Sequence, residues 1–390
     1  MRSSAKTFEA ILSTTYTVLD KPTDGRPWAF WSSMIISRTP FRVSFFGGGT
    51  DYPAWYRQHG GAVLAAAIDK YCYLTCRFLP PFFEHRIRVV YSHIEMVQSA
   101  DEIKHPAVRA VLKLLNVERG VEVHHDGDLP ARSGMGSSSS FTVGLLHALH
   151  ALYGRMVSKH QLAMEGIQIE QEILKENVGS QDQVMAAYGG LNHVRFLPSG
   201  DITVRPVTIS GSRMAELESH LMLFYTGIKR TASDVAATFI SGMDERRRQL
   251  RIMSDLVEEG ISLLSSAGDI GQFGQLLHEG WQAKRGLSNM VSNGDVDQMY
   301  EVARQAGATG GKLLGAGGGG FLLLFAAPDL HDEIRQKLSR LIHVPFKFEH
   351  AGSQIIHFDS ETDYSREDQL RTNSSVDAFR ELTLQSEESA

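Results

Sequence analysis

The sequence predicts an α+β protein of two domains meeting at a cleft. Three observations lead there. Runs of strand length, alternating or wholly apolar, are interleaved with longer helix-like runs along the whole chain. The 390 residues are enough for two hydrophobic cores. Three glycine clusters mark junctions between elements: Gly47, Gly48 and Gly49; Gly134 and Gly136; and Gly315 with Gly317, Gly318, Gly319 and Gly320.

Residues 35–44 read as a strand that runs into the first glycine turn. Residues 62–68 are apolar throughout and 71–78 alternate, which predicts two further strands. Strands are also expected at 86–91 and 121–125, with a helix at 106–115 between them. Residues 138–152 are apolar on nearly every side, so that helix should be buried. A second helix, 160–177, ends before Gly179. Strands at 191–196 and 202–209 close the first half. The second half opens with a strand at 221–225 and continues with helices at 232–265 and 273–288. A strand at 321–325, a helix at 330–341 and a strand at 346–349 complete it. No internal repeat is present. The expected organisation is an N-terminal extension 1–33, a first domain 34–210, a second domain 211–358 and an acidic tail 359–390.

Charge excludes some function classes. The formal net charge is −6, and the tail alone, with nine acidic and three basic residues, carries all of it. The remaining 358 residues hold 36 basic and 36 acidic side chains. No basic surface argues for nucleic acid, and no apolar run approaches a membrane span. Cys72 and Cys76 lie on one alternating run, roughly 13 Å apart along a strand and too far for a disulfide. A reducing cytoplasm fits. The first 33 residues lack a signal-peptide apolar core but contain Trp28, Phe30 and Trp31, which suit docking on the body.

The segment from Leu129 to Ser140 carries the strongest chemical signal. Glycines followed by four serines stand between a strand and an apolar helix. Glycine lets backbone N–H groups turn toward a ligand, and the helix start adds free donors and a positive dipole end. Such loops bind phosphate. No Gly-Lys-Ser/Thr comes after it, so this is not a Walker A loop. The alternative is a serine-rich helix cap. The last cluster formally satisfies G-x-G-x-x-G at Gly315, Gly317 and Gly320, but it leads into an apolar strand where a dinucleotide site needs a helix.

Taken in order and spacing, the three clusters resemble those of the GHMP kinase family (galactokinase, homoserine kinase, mevalonate kinase, phosphomevalonate kinase) over residues 34–358. The resemblance implies a ribosomal-S5-like N-terminal domain and a ferredoxin-like C-terminal one. It implies ATP on the middle loop, at Arg132, Ser133, Gly134, Gly136, Ser137, Ser138 and Ser139, and Mg²⁺ held by Ser137 or Ser138 with Glu170. The residues themselves support Glu170: Ile167, Ile173 and Leu174 share its stripe, whereas Glu172 has Gln168, Lys175 and Glu176 as neighbours and should face solvent. A buried glutamate is either paired in a salt bridge or holds a cation.

Asp182 matches the family's aspartate beside the acceptor hydroxyl, its alternative role being a helix cap. Arg42 matches the cation that holds that aspartate ionised and faces the transferring phosphoryl group. Thr50 and Asp51 match the sugar-binding motif, with an Asx-turn as the alternative for Asp51. His147 and His150, on an apolar helix, read as core histidines rather than ligands.

Where galactokinases have a glutamate and a histidine, this chain has Gly48 and Gly49. The change removes a carboxylate and makes room for a larger or anionic acceptor. The motifs are most similar to the branch of the family that phosphorylates O1 of a manno-heptose 7-phosphate. The expected partners are therefore ATP and a small sugar phosphate, with a homodimer left open. Lys229 and Arg230, with Lys312, are candidates for the acceptor's phosphate, and Gly317 and Gly318 for lining its site. Another sugar 1-kinase of the fucose or galactose type and a non-catalytic sugar sensor remain as alternatives.

Overall fold

The computed structural model describes residues 32–131, 133–228 and 246–361, together with 366, 367, 369 and 370. Arg132, Lys229, Arg230, the N-terminal extension up to Trp31 and most of the tail lie outside the described residues.

Two sheets organise the described residues. The first has eight strands in the path β12-β1-β2-β5-β3-β4, with β6 on β2 and β7 on β6. Its strands are β1 (Ser32–Phe46), β2 (Gly61–Phe78), β3 (Ile87–Val90), β4 (Ile94–Val97), β5 (Val121–Gly127), β6 (Leu191–Phe196), β7 (Ile202–Pro206) and β12 (Gln354–Glu361). The second has four, ordered β11-β8-β10-β9. These are β8 (Leu221–Tyr225), β9 (Gly310–Leu313), β10 (Phe321–Phe325) and β11 (Ile342–His343). The α+β two-domain fold is as the sequence predicts. The expected boundary at 358 falls inside β12, which returns to pair with β1 in the first sheet.

β2 corrects the expectation of two strands. It runs unbroken for 18 residues. The polar pair Asp69 and Lys70 is absorbed as an irregularity opposite Pro40 and Phe41 of β1, where the register slips. The apolar half is buried on both faces and the alternating half on one, which is why the two halves looked like different elements. Residues 346–349 correct another expectation. They form a single bridge, Ile68 to Phe348, and otherwise run along the edge of that irregularity through hydrogen bonds from Asp69 N to Lys347 O and Glu349 N to Ala67 O.

Helices flank the sheets: α1 (Pro53–His59), α2 (Pro106–Leu114), α3 (Ser137–Leu152), α4 (Lys159–Ile167), α5 (Gln181–Tyr188) and α6 (Gly211–His220) in the first half. The second half has α7 (Arg247–Ser265), α8 (Gly271–Arg285), α9 (Gly294–Gln305) and α10 (His331–Lys337). α3 is buried almost throughout, as its all-round apolar sequence requires. His147 and His150 are core groups: His147 Nδ1 meets Ser353 Oγ at 2.9 Å and His150 Nε2 meets Glu165 at 2.7 Å. Cys72 and Cys76 are buried free thiols.

The expected helix 160–177 does not continue to Asn177. After α4 the chain widens into a π-turn, Gln168–Ile173, and ends with Lys175 at φ 55°. The extra residue in the turn rotates the side chains beyond it. Ile173, expected on the inward stripe, is 44% exposed, while Glu170 is 1% exposed. The inward glutamate is therefore correct and one of the reasons given for it is not.

The two halves share a core. Phe45 and Phe46, at the end of β1, each meet the ring of Phe273 on α8 edge-on, at centroid distances of 5.4 and 5.1 Å. That packing holds the glycine turn after β1 against the second sheet. Among the described residues no helix is long and apolar enough to cross a membrane.

Candidate active site

A cleft of about 910 Å³ opens between the two halves. All three glycine segments contribute to its wall, through Gly48 and Gly49, through Gly134 and Gly136, and through Gly315.

The first segment is a lock as well as a wall. Gly47 has φ 82°, and a Cβ there would strike the carbonyl of Ala62. Thr50 is fully buried, and its hydroxyl donates to the carbonyls of Gly47 and Ala62. It does not line the cleft. Thr50 therefore ties the turn to β2, which corrects its reading as a substrate contact. Asp51 does line the cleft, but its oxygens accept from Gly49 N at 2.8 Å and Gln181 N at 3.3 Å. It joins the first turn to the start of α5. Burial pushes its carboxyl upward, and the nearby Asp182 adds to this.

The second segment ends at Gly136, the N-cap of α3, in the left-handed region at φ 75°. Its Cα faces the principal ion pair: a Cβ there would lie 3.4 Å from Asp182 Cγ and 3.5 Å from Arg42 Cγ. Arg42 grips Asp182 with two parallel bonds, Nε to Oδ1 at 2.7 Å and Nη2 to Oδ2 at 2.8 Å. Its third donor reaches the carbonyl of Gly134 at 2.7 Å. Arg42 is buried, whereas the Asp182 side chain keeps 26% exposure toward the cleft. Gly136, Ser137, Ser138 and Ser139 line the wall next to this pair. Ser133 is buried and does not line it.

Glu170 faces the same wall from the π-turn. Its Oε2 accepts from Ser139 Oγ at 2.8 Å and from Gln183 Nε2, while Oε1 has no partner. Burial raises its pKa to about 7, against the opposing effect of those two hydrogen bonds. The serine in contact with Glu170 is thus Ser139, while Ser137 is half-buried and Ser138 exposed. Glu172 is exposed.

The second half brings two lysines that are only partly legible in sequence. Lys312, on β9, donates to the carbonyl of Phe45 at 2.9 Å. Lys284, at the end of α8, donates to the carbonyls of Leu313 and Gly315. Both line the cleft. Burial lowers Lys284 to about 8 and also lowers Lys312, each lysine's neighbouring cations adding to the effect. Sequence reasoning missed Lys284, although it continues the buried stripe Phe273, Leu277, Trp281. Gly317 and Gly318 do not line the cleft. A Cβ on Gly317 would collide with the carbonyl of Val291, and Gly318 N donates to that same oxygen at 2.9 Å, so both pack against the loop behind the wall. Tyr91, His105, His125 and Leu129 also line the cleft, with His105 stacked on Phe141 at 4.8 Å.

Models of two families match, in order, either side of this cleft. The GHMP kinases N terminal domain matches residues 102–190, covering the second glycine segment, Glu170 and Asp182. The GHMP kinases C terminal domain matches residues 254–343, covering Lys284, Lys312 and the last glycine segment. The chain carries both GHMP kinase domains, the N-terminal one before the C-terminal one. A D-glycero-alpha-D-manno-heptose 7-phosphate kinase of Campylobacter jejuni is 28% identical over 305 residues, covering 75% of this chain and 90% of that protein. A galactokinase of Roseiflexus is 26% identical over 353 residues, covering 79% and 88%. Among solved structures, a D-glycero-D-manno-heptose 1-phosphate kinase of Bacteroides thetaiotaomicron superposes with a TM-score of 0.69 at 23% identity, covering 84% of this chain and all of that one. The two-domain GHMP kinase fold accounts for the return of β12 and for a cleft built from both halves.

Proposed function

We propose that this protein transfers the γ-phosphoryl group of ATP to the anomeric hydroxyl of D-glycero-α-D-manno-heptose 7-phosphate, giving the 1,7-bisphosphate. The observation that carries the reading is the Arg42–Asp182 pair set against the start of α3 at Gly136. Phosphoryl transfer asks the protein mainly for positioning and charge neutralisation. The loop 134–139 offers backbone donors and a helix N-terminus to the phosphates. Asp182 orients the acceptor hydroxyl and takes its proton as the new O–P bond forms and the bond to ADP breaks. Arg42 holds the Asp182 carboxylate in place with two parallel hydrogen bonds and presents positive charge to the transferring group.

The residues present fit a divalent cation. Glu170 is buried and one carboxylate oxygen is without a partner at the wall of the cleft. Glu170, with Ser137 or Ser138, would hold Mg²⁺, which neutralises phosphate charge when bound.

Two features support a phosphorylated acceptor. Gly48 and Gly49 leave the wall beside Asp51 without a carboxylate, and Lys284 brings buried positive charge to the cleft. The heptose 7-phosphate kinase relative agrees. Galactokinase relatives of comparable identity favour a second reading, an anomeric kinase of an unphosphorylated sugar. A coupled ADP-release screen with Mg²⁺ over sugars and sugar phosphates decides. Preference for the heptose 7-phosphate supports the proposal. Faster turnover of galactose or fucose replaces it with the second reading, and the absence of ADP release with every acceptor leaves only a sugar-sensing role.

A further inference from the structure

Two polar side chains on the wall near Asp51 have an unmade hydrogen bond. Ser44, on β1, is 4% exposed and its Oγ has no partner. Gln181, the first residue of α5, is 9% exposed and its Oε1 has no partner. Both line the cleft. A buried polar atom left unsatisfied costs about 1–3 kcal/mol. Two of them at one place on a cleft wall point to a ligand that completes them.

Gly48 stands over both. A methyl group at its Cα would lie 3.4 Å from Gln181 Nε2 and 3.4 Å from Ser44 Oγ. Any side chain there would stand in front of the two groups. Gly47 and Gly49, at φ 82° and 115°, are glycines because the backbone demands it. Gly48 is not in that region. Its missing side chain therefore does something other than relieve strain: it leaves Ser44 and Gln181 open to the cleft.

The chemistry of the pair selects the ligand group. An amide and a hydroxyl offer donors and acceptors but no charge. A sugar hydroxyl, itself a donor and an acceptor, satisfies both. A phosphate dianion brings no proton to Gln181 Oε1. We propose that Ser44 and Gln181 form a subsite that reads one ring hydroxyl of the acceptor, with Gly48 as its aperture. The acceptor's own phosphate then lies elsewhere in the cleft. The inference rests on the sugar-kinase reading above and names residues that set its specificity.

The test compares the wild type with Gln181→Met, Ser44→Ala and Gly48→Ala. The probes are D-glycero-D-manno-heptose 7-phosphate and its 2-, 3- and 4-deoxy analogues, or the same deoxy series of whichever sugar the screen selects. The wild type should lose ~10–100-fold in kcat/KM on one deoxy analogue, the range implied by an unmade buried hydrogen bond. Gln181→Met and Gly48→Ala should lose a similar factor on the parent sugar and little more on that analogue, with KM for ATP unchanged. Equal losses on parent and deoxy sugars overturn the subsite, as does a parallel rise in KM for ATP. If Gly48→Ala does not fold, the other two variants carry the comparison. A wild type that turns over sugars while its variants discriminate nothing sinks the subsite alone. A wild type inactive on every sugar sinks the sugar-kinase reading and the subsite with it.

Discussion

Glu170 gives the sharpest test of how this cleft is built. Its carboxyl is 1% exposed, and burial lifts it from 4.5 to about 7. At about 1.4 kcal/mol per decade, that shift corresponds to on the order of 3 kcal/mol. The sign is set by proton linkage. Between pH 4.5 and 7 the folded protein binds more protons here than the unfolded chain does, so stability falls as pH rises through that window. Above pH 7 the full penalty is present in the metal-free protein. Glu170→Gln keeps the shape and removes the charge. In EDTA at pH 8 it should raise Tm by several degrees, and the gain should vanish near pH 4.5, where the wild-type carboxyl no longer carries the penalty. Saturating Mg²⁺ should stabilise the wild type at pH 8 and leave Glu170→Gln unmoved. The same variant should lose most of its kcat, while Glu172→Gln, on the exposed side of the turn, should keep it. Thermal melts at four pH values, with EDTA or Mg²⁺, together with steady-state ADP release, measure all of this. Equal kinetic losses at 170 and 172, or a Mg²⁺ response that survives Glu170→Gln, would refute the reasoning.

The same geometry sets other expectations. Asp182→Asn should fold, bind ATP with near-normal affinity and transfer phosphate at least ~100-fold more slowly, the low end for losing a general base; a loss of Tm with kcat intact would make Asp182 structural. Gly136→Ala should cost about 1–2 kcal/mol, because its φ of 75° is unfavourable for alanine, and should lower kcat by crowding Asp182; unchanged urea melts and turnover would show that the cap does not hold the pair. Lys284, lowered to about 8 by burial, should lose its charge as pH rises past 8, so KM for a phosphorylated acceptor should climb there, and Lys284→Met should show the raised KM already at pH 7; a flat wild-type profile from pH 7 to 9.5 counts against a lysine contact to the acceptor.

Much of the site was legible because its residue types break the local pattern. A glycine pair and four serines have no reason to sit between an apolar strand and an apolar helix unless the backbone there has work to do. A glutamate among isoleucines signals burial by the same logic. That logic, applied to α8, finds Lys284 on the stripe of Phe273, Leu277 and Trp281. It failed at Ile173 because a π-turn changes the period midway, and no residue in 168–173 announces the extra unit. Short segments such as β4, β9 and α1 escaped notice because four to seven residues give too little periodicity to register.

The sequence by itself determined the elements that carry their own signal: the long apolar strands, the buried helix α3, the glycine turns and the order of the family's motifs. These depend on periodicity and backbone permissiveness, which are local. Only the tertiary structure decided which polar groups face one another. Arg42 and Asp182 are 140 residues apart, Lys312 and Phe45 267 apart, and Asp51 takes the backbone of Gln181 across 130 residues. Thr50 fell out of the cleft and Ser44 and Gln181 entered it for the same reason. A side chain's partner is set by how two distant turns pack, and turn residues such as Thr50 and Gly317 look alike in sequence whether they face a ligand or another loop.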